Sequence, residues 1–218
     1  MSATVARVGP NAMLQLAAAL RARHGEGVAR RVFADAGLPR RLDHPPNALV
    51  DEREVAALHR ALARDLPPDA AAEVARDAGR RTADYLLAHR IPALARAVLR
   101  TLPARFAARL LLRAILRHAW TFAGSGRVTV TAGRVPVLEI AANPLATGPC
   151  LWHAAVLERL FHALASPRAR VVETACCAAG APACRTRIHL YGLLHPLRCN
   201  GLSLGRAAAS ARNERPHG

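Results

Sequence analysis

Apolar residues in the first half of the chain recur at helical spacing. Between residues 11 and 102 they return every three or four positions, as at Leu16 and Leu20, and so lie on one face of a helix. Glycines and prolines divide this stretch, and Asp51 stands where the N-cap of an internal helix is expected. The pattern predicts a helical N-terminal half, whose last helix begins at a proline and covers 103–122.

The second half of the chain changes to an alternating pattern. Valines at every second position flank a turn at 132–133 and predict a β-hairpin. Residues 151–164 return to helical spacing, and 170–174 and 185–190 alternate as two further strands. The predicted fold class is α+β, with the helical N-terminal half packed on an antiparallel sheet formed by a β-β-α-β-β C-terminal half.

Length and composition suit one domain with a sizeable core. The chain has 218 residues, of which 52% are hydrophobic, so disulfide staples are not needed for stability. The predicted division is a flexible N-terminus at 1–10, a single domain at 11–190 and a flexible tail, rich in Arg, Gly and Ser, at 191–218.

All 31 basic residues are arginine, against 15 acidic residues, and the formal net charge is +16. The absence of lysine excludes Schiff-base chemistry and the phosphate-binding lysine of P-loop proteins. Guanidinium groups favour carboxylates, phosphates or an acidic membrane surface as partners. Nucleic acid is not predicted, because the few Trp and Tyr residues are scattered and form no stacking platform.

No apolar run reaches the length of a membrane-spanning helix and no signal peptide is recognisable, so a cytoplasmic location is expected. The five cysteines are an odd number, which indicates reduced thiols or a metal site. Cys177 is expected to turn away from its neighbour by strand alternation, and Cys199 is expected to be a thiol of the tail.

Four groups of metal-ligand type are predicted to converge. Cys176 and Cys184 bracket the loop between the last two strands, Glu173 ends the incoming strand, and Cys150 begins the helix that crosses to that strand. Three thiolates and a carboxylate would form a closed tetrahedral zinc site with a structural role. The other interpretation of the same residues is a group of buried, inert thiols.

Two longer runs carry a resemblance to a known family. The run ETACCAAGAPACRTRI at 173–188, after a hairpin and a helix, resembles the closing motif of the 4-vinyl reductase domain family. The upstream run AGRRTADYLLAHRIP at 78–92 resembles the bacteriochlorophyll-biosynthesis branch of that family. The resemblance covers residues 10 to 190.

The resemblance implies both a metal and a ligand. In related sensor domains a Cys, Glu, Cys, Cys set with this spacing holds structural zinc, which implies Cys150, Glu173, Cys176 and Cys184 as ligands here. Domains of this type enclose an apolar cavity between helices and sheet and often pair as homodimers. For the bacteriochlorophyll branch the implied ligand is a magnesium tetrapyrrole intermediate, either a Mg-protoporphyrin ester or divinyl protochlorophyllide.

Side chains that would suit such a ligand lie on the predicted helices. Arginines could bind its propionates, and a histidine could be the axial ligand of its magnesium. The alternatives are a solvated stripe of charge, contact of the arginine helix with anionic lipid, and ordinary hydrogen-bonded histidines. The candidate residues are Arg105, Arg109, Arg113, Arg117, His118, Trp120, His153 and His162.

The sequence shows no recognisable source of hydride for a vinyl reduction. The GSG triplet at 124–126 precedes a strand instead of joining a strand to a helix, and the cysteines lack common iron–sulfur spacing. The favoured hypothesis is an accessory protein, located in the cytoplasm or peripheral to the photosynthetic membrane, that binds the tetrapyrrole and delivers it to pathway enzymes. The alternatives are an 8-vinyl reductase that uses a partner's reducing equivalents, and a sensor of small aromatics.

Overall fold

The computed structural model describes residues 6–191, and the N-terminal half of this range is helical. The helices are α1 (Asn11–Asp35), α2 (Pro39–Asp43), α3 (Glu52–Asp65), α4 (Pro68–His89), α5 (Ala93–Thr101), α6 (Ala104–Arg117), α7 (Trp120–Ala123) and α8 (Leu151–Leu164). The strands are β1 (Arg7–Val8), β2 (Val50–Asp51), β3 (Arg127–Thr131), β4 (Val137–Ala141), β5 (Arg170–Ala175) and β6 (Ala183–His189).

The helical half begins and ends its elements where the sequence indicates. The Asp51 side chain accepts a hydrogen bond from the backbone N–H of Arg53 (2.8 Å) and caps α3. Gly25 has a positive φ of 81° and kinks α1 between its two apolar segments. The buried faces of α1, α3 and α4, with Leu16, Leu20 and others, pack into one core cluster.

The sheet has the strand order β3-β4-β6-β5, and all neighbouring pairs are antiparallel. Helix α8 connects β4 to β5. Leu138 and Ile140 of β4 pair with Thr186 and Cys184 of β6, and these four buried side chains share the inner face of the sheet. The buried side of α8 packs into the same core cluster as this face. The α+β class and the β-β-α-β-β order are confirmed.

Two boundaries differ from the expected ones. The helix predicted over 103–122 stops at Arg117 and resumes as α7 at Trp120, a break that lets the Thr121 carbonyl accept a hydrogen bond from Gly9 N–H (2.7 Å). Residues 7 and 8, placed by the sequence in a flexible N-terminus, pair with β2, and Val8 is fully buried. Burial of Val8 accounts for this local order.

The predicted tail beyond residue 191, with Cys199, lies outside the described residues. Within 6–191, no helix combines the length and the apolar character needed to cross a bilayer.

Close packing of α4 on α8 makes Gly79 a sensitive position. A Cβ at Gly79 would lie 2.5 Å from the Trp152 carbonyl oxygen and 2.7 Å from the Ala155 Cβ. Gly79→Ala is therefore expected to lower the free energy of unfolding by about 1–3 kcal/mol, because α8 must shift. Urea unfolding measures this change. Gly27→Ala, where no atom lies within 4 Å, should leave stability unchanged or slightly raised, and equal effects of both substitutions would contradict the prediction.

Candidate functional site

Three buried thiols meet where α8, β6 and the β5–β6 loop come together. Cys150 is the N-cap residue of α8, Cys184 lies on β6, and Cys176 precedes a single 3-10 turn in the loop. The Sγ atom of Cys150 lies 3.3 Å from that of Cys184 and 3.8 Å from that of Cys176, and the last two are 4.0 Å apart. In the described part of the chain these are the three ligand-type groups that lie within 4.8 Å of one another.

Glu173 adjoins this cluster but has a different partner. Its Oε2 accepts a hydrogen bond from the backbone N–H of Cys150 (2.7 Å) and so caps the start of α8. On a regular strand, Glu173 and Cys176 would face opposite sides, since their spacing is odd. A β-bulge between Glu173 and Ala175 breaks that alternation and brings the carboxylate to the cluster side.

Hydrogen bonds to sulfur distinguish the three thiols. The buried Asn143 amide donates to the Sγ atoms of Cys184 (3.5 Å) and Cys150 (3.7 Å), and the backbone N–H of Cys177 donates to Cys184 Sγ (3.3 Å). Asn143 Oδ1 in turn accepts from the Leu145 N–H (3.0 Å), which fixes the amide orientation. These donors would stabilise negative charge on the sulfurs they contact.

The pKa values of the thiols follow from these surroundings. Burial raises the pKa of Cys150, with a further rise from its neighbour Cys184. Burial also raises the pKa of Cys176, and the Glu173 carboxylate adds to the rise. At Cys184 burial acts in the same direction, but the donors from Cys177 and Asn143 together outweigh it and lower the pKa. Cys184 is the thiol of the three that ionises most readily.

The spacing of the sulfurs fits a tetrahedral metal. Zinc–thiolate bonds of about 2.3 Å place ligand sulfurs about 3.8 Å apart, close to two of the three observed separations. The pair formed by Cys150 and Cys184 would open slightly. The Cys176 thiol donates to the Gly148 carbonyl (3.2 Å), a bond that metal binding would replace. Cys177 Sγ instead contacts the Ile140 carbonyl (3.8 Å) and lies outside the cluster, as its position predicts.

An apolar cavity of about 490 Å³ lies beside the thiol cluster, between the helices and the inner face of the sheet. This volume is within the about 300–1,000 Å³ usual for small-molecule sites. Cys150 and Cys184 form part of its wall, so the cluster and the cavity share a boundary. The other wall residues include Thr82, Leu86, Leu111, Ala114, Ile115, Phe122, Leu138, Ile140, Trp152, His153, Val156, Leu157, Leu160 and Thr186.

Two polar groups in this wall have unusual states. His153 is 7% exposed, and its Nε2–H donates to the Phe122 carbonyl oxygen (3.1 Å), so Nδ1 keeps its lone pair. Burial lowers the pKa of His153 to about 4, with only partial opposition from that hydrogen bond, and the ring is neutral at pH 7. Trp152 is 6% exposed, and its Nε1–H has no hydrogen-bond partner among the described residues.

His59 adjoins this pair from α3. Its ring centroid lies 6.3 Å from that of Trp152, and burial lowers its pKa to about 4, with a further contribution from His153. Its Nε2 atom also has no partner in the part of the chain that the structure describes. Buried polar atoms in folded proteins are nearly always hydrogen-bonded, so both orphaned nitrogens indicate a site that accommodates a further molecule.

The cavity meets solvent at one end, where its wall residues are exposed. These residues are Arg90 and Ile91 at the end of α4, Ala114 on α6, His118 just after α6, and Trp120 on α7, which is 51% exposed. The mouth therefore carries one guanidinium and one imidazole around an apolar opening.

The structure brings part of the predicted ligand-binding set together. His118, Trp120 and His153 line the cavity. His162 lies elsewhere on α8, where its Nε2 contacts the Ala169 carbonyl oxygen (2.5 Å) and the Arg170 guanidinium (2.9 Å). The predicted arginines point to solvent and are not in the wall, because α6 turns its other face inward; these are Arg105, Arg109, Arg113 and Arg117.

Sequence reasoning did not single out three residues that the structure places at the site. Asn143 orients the thiols, Trp152 carries the orphaned N–H, and Arg90 stands at the mouth. Only Arg90 had a signal, since it lies within the run at 78–92. The roles of Asn143 and Trp152 depend on contacts between distant elements.

Comparison with known proteins places this architecture in a class. Residues 136–190, which contain β4, α8, β5, β6 and the three clustered thiols, match the family model of the 4-vinyl reductase domain. Together with the fold, this match defines a protein of the 4-vinyl reductase domain class and confirms the predicted resemblance.

Two relatives define the family more narrowly. The bacteriochlorophyll synthase 23 kDa chain of Cereibacter sphaeroides is 51% identical over 185 residues, covering 82% of this chain and 88% of that protein. The protein of the same name from Rhodobacter capsulatus is 41% identical over 191 residues, covering 85% of this chain and 88% of that protein. The chain belongs to the family of these bacteriochlorophyll synthase 23 kDa chains.

A solved structure shows a weaker likeness. An H-NOX protein from S. oneidensis, in the Fe(II)NO ligation state, superposes with a TM-score of 0.48 at 12% sequence identity, covering 84% of this chain and 99% of that chain. The family assignment rests on the relatives above.

Proposed function

We propose that the protein is an accessory component of bacteriochlorophyll biosynthesis that binds a magnesium tetrapyrrole intermediate in its apolar cavity and delivers it to pathway enzymes. The names of the two relatives support the pathway. The observation that carries the binding is the cavity of about 490 Å³ with His153 in its wall. A poorly soluble macrocycle gains most from removal of its apolar faces from water.

His153 is the best-prepared axial ligand among the predicted histidines. A metal-binding histidine characteristically donates its second ring N–H to a carbonyl or a carboxylate, which fixes the tautomer. His153 makes this bond to Phe122, and its low pKa keeps the remaining nitrogen free of a proton at pH 7. His118, at the exposed mouth, and His162, outside the cavity, have no such preparation.

The three thiols, with Glu173 as the fourth group, are proposed to hold structural zinc. The metal would connect the start of α8 to β6 and to the β5–β6 loop. Cys150 precedes Trp152 and His153 by one helical turn or less, so a fixed Cys150 also fixes the part of the cavity wall with the site's polar groups. The zinc would have no open position and no catalytic role.

Absorbance titration with magnesium-protoporphyrin monomethyl ester tests the proposed function. The expected result is saturation at one pigment per chain, with a shifted Soret band. Phenol should not compete, because it fills little of the cavity; affinity for phenol without affinity for the porphyrin would favour the sensor. Divinyl protochlorophyllide with NADPH or a reduced ferredoxin completes the test, since catalytic formation of monovinyl product would establish a reductase instead.

A further inference from the structure

Exposed apolar side chains concentrate in one segment of the chain. Of the eight large hydrophobic residues that are exposed among the described residues, six lie between positions 94 and 120. Leu94 is 77% exposed, Phe106 55% and Trp120 51%. The others of this set are Val98, Leu110 and Leu116. These six residues, with the exposed arginines of α6, are called the docking face below.

Helix α5 does not need its apolar residues for attachment to the domain. It has no buried residue, although it is strongly amphipathic in sequence. Two arginines attach it instead: Arg96 donates to the Leu87 carbonyl and Arg100 donates to the Ala163 carbonyl. Leu94 and Val98, one turn apart, are therefore left in contact with water, an arrangement that indicates an interaction surface.

The charge of this segment has one sign. Between Asp84 and Glu139 there is no acidic residue, while nine arginines occur. Within residues 6–191 the arginines of α6, at 105, 109, 113 and 117, form no ion pair, whereas arginines of α1 are paired, such as Arg23 with Glu73. The docking face is thus apolar and cationic, without internal neutralisation.

Helix α6 arranges the two properties side by side. Phe106 and Leu110 lie one turn apart on its exposed face, and the Arg109 guanidinium lies 5.9 Å from the centre of the Phe106 ring. Long arginine stems can lie along an apolar layer while their charges reach toward anionic headgroups. Amphipathic helices that rest on membranes show this combination of an apolar stripe and flanking cations.

We propose that the docking face binds the surface of an anionic lipid bilayer. A second copy of the chain is a poor occupant, because two such faces would oppose cations without any acid. Trp120 belongs both to the docking face and to the cavity mouth. If the proposed function holds, lipid contact at this place lets a membrane-dissolved pigment enter the cavity without crossing water.

Vesicle co-sedimentation of the full chain, free of pigment, tests the docking face independently of pigment binding. The wild type should bind mixed phosphatidylcholine/phosphatidylglycerol vesicles, bind phosphatidylcholine alone weakly, and lose affinity as salt is added. Each arginine near an anionic surface contributes about fivefold in affinity. Substitution of all four by glutamine should therefore weaken binding by roughly a hundredfold or more; the substitutions are Arg105→Gln, Arg109→Gln, Arg113→Gln and Arg117→Gln.

The matched control removes the same charge elsewhere. Four exposed arginines of the helical half that form no ion pair within residues 6–191 are replaced together; the substitutions are Arg31→Gln, Arg40→Gln, Arg60→Gln and Arg76→Gln. This variant should lose much less affinity than the α6 variant. Phe106→Ser with Leu110→Ser should weaken binding while the net charge is unchanged.

Three results would overturn the proposal. They are equal losses in the α6 and control variants, wild-type binding that does not depend on phosphatidylglycerol, and a wild-type dimer that Phe106→Ser with Leu110→Ser dissociates. The last would assign the face to a protein partner. None of these results depends on pigment affinity, so failure here leaves the titration of the proposed function as a separate question.

Discussion

Cys184→Ser is expected to release zinc and to lower the free energy of unfolding by about 4 kcal/mol or more, because loss of a structural metal is among the few single changes with effects of this size. For a domain of this length the midpoint of thermal unfolding should fall by roughly 10 °C. Cys184 is chosen because it contacts both other thiols and is the one whose pKa is lowered. Metal analysis and thermal unfolding of the same sample measure both effects.

Cys177→Ser is the matched control. Cys177 adjoins a proposed ligand in sequence, but its sulfur contacts the Ile140 carbonyl instead of the cluster. It should retain one zinc per chain and nearly the wild-type stability. Full zinc content in Cys184→Ser, or equal behaviour of the two variants, would show that the thiols are inert core residues.

His153→Gln should raise the dissociation constant for magnesium-protoporphyrin monomethyl ester at least about tenfold, because the axial ligand is lost. Glutamine retains an N–H that can donate to the Phe122 carbonyl, so the wall is expected to stay in place. Metal-free protoporphyrin ester should bind both proteins equally well. The magnesium-specific difference separates axial ligation from a loss of cavity shape, and absorbance titrations measure it.

His162→Gln is the control for this second prediction. His162 lies on the same helix, but its ring contacts Ala169 and Arg170 outside the cavity. Its replacement should leave both affinities unchanged. A His153→Gln variant that binds the magnesium and metal-free pigments with the same loss would reduce His153 to a packing residue.

The convergence of the thiols could be predicted from sequence because it follows from chain connectivity. Cys176 and Cys184 bracket one loop between paired strands, and Cys150 begins the helix that leads into them. The contact that Glu173 makes could not be predicted in the same way. It depends on a one-residue bulge, and periodicity alone places Glu173 on the other side of the strand.

The cavity wall shows a second limit of sequence patterns. Helical spacing correctly identified the amphipathic character of α6, yet it does not state which of two mixed faces turns inward. The structure buries Ala108, Leu111 and Ile115 and leaves the arginines outside. The break between Arg117 and Trp120, which forms the mouth, follows from a tertiary hydrogen bond to Gly9 and has no local signal.

The all-arginine composition has a consequence for how the contact with a bilayer could be regulated. Guanidinium groups stay protonated at any pH that a cell reaches, so acidification or alkalinisation cannot discharge this surface. With no lysine in the chain, acetylation of side-chain amines has no target either. Attachment and release would therefore follow the lipid composition of the bilayer and the ionic strength around it.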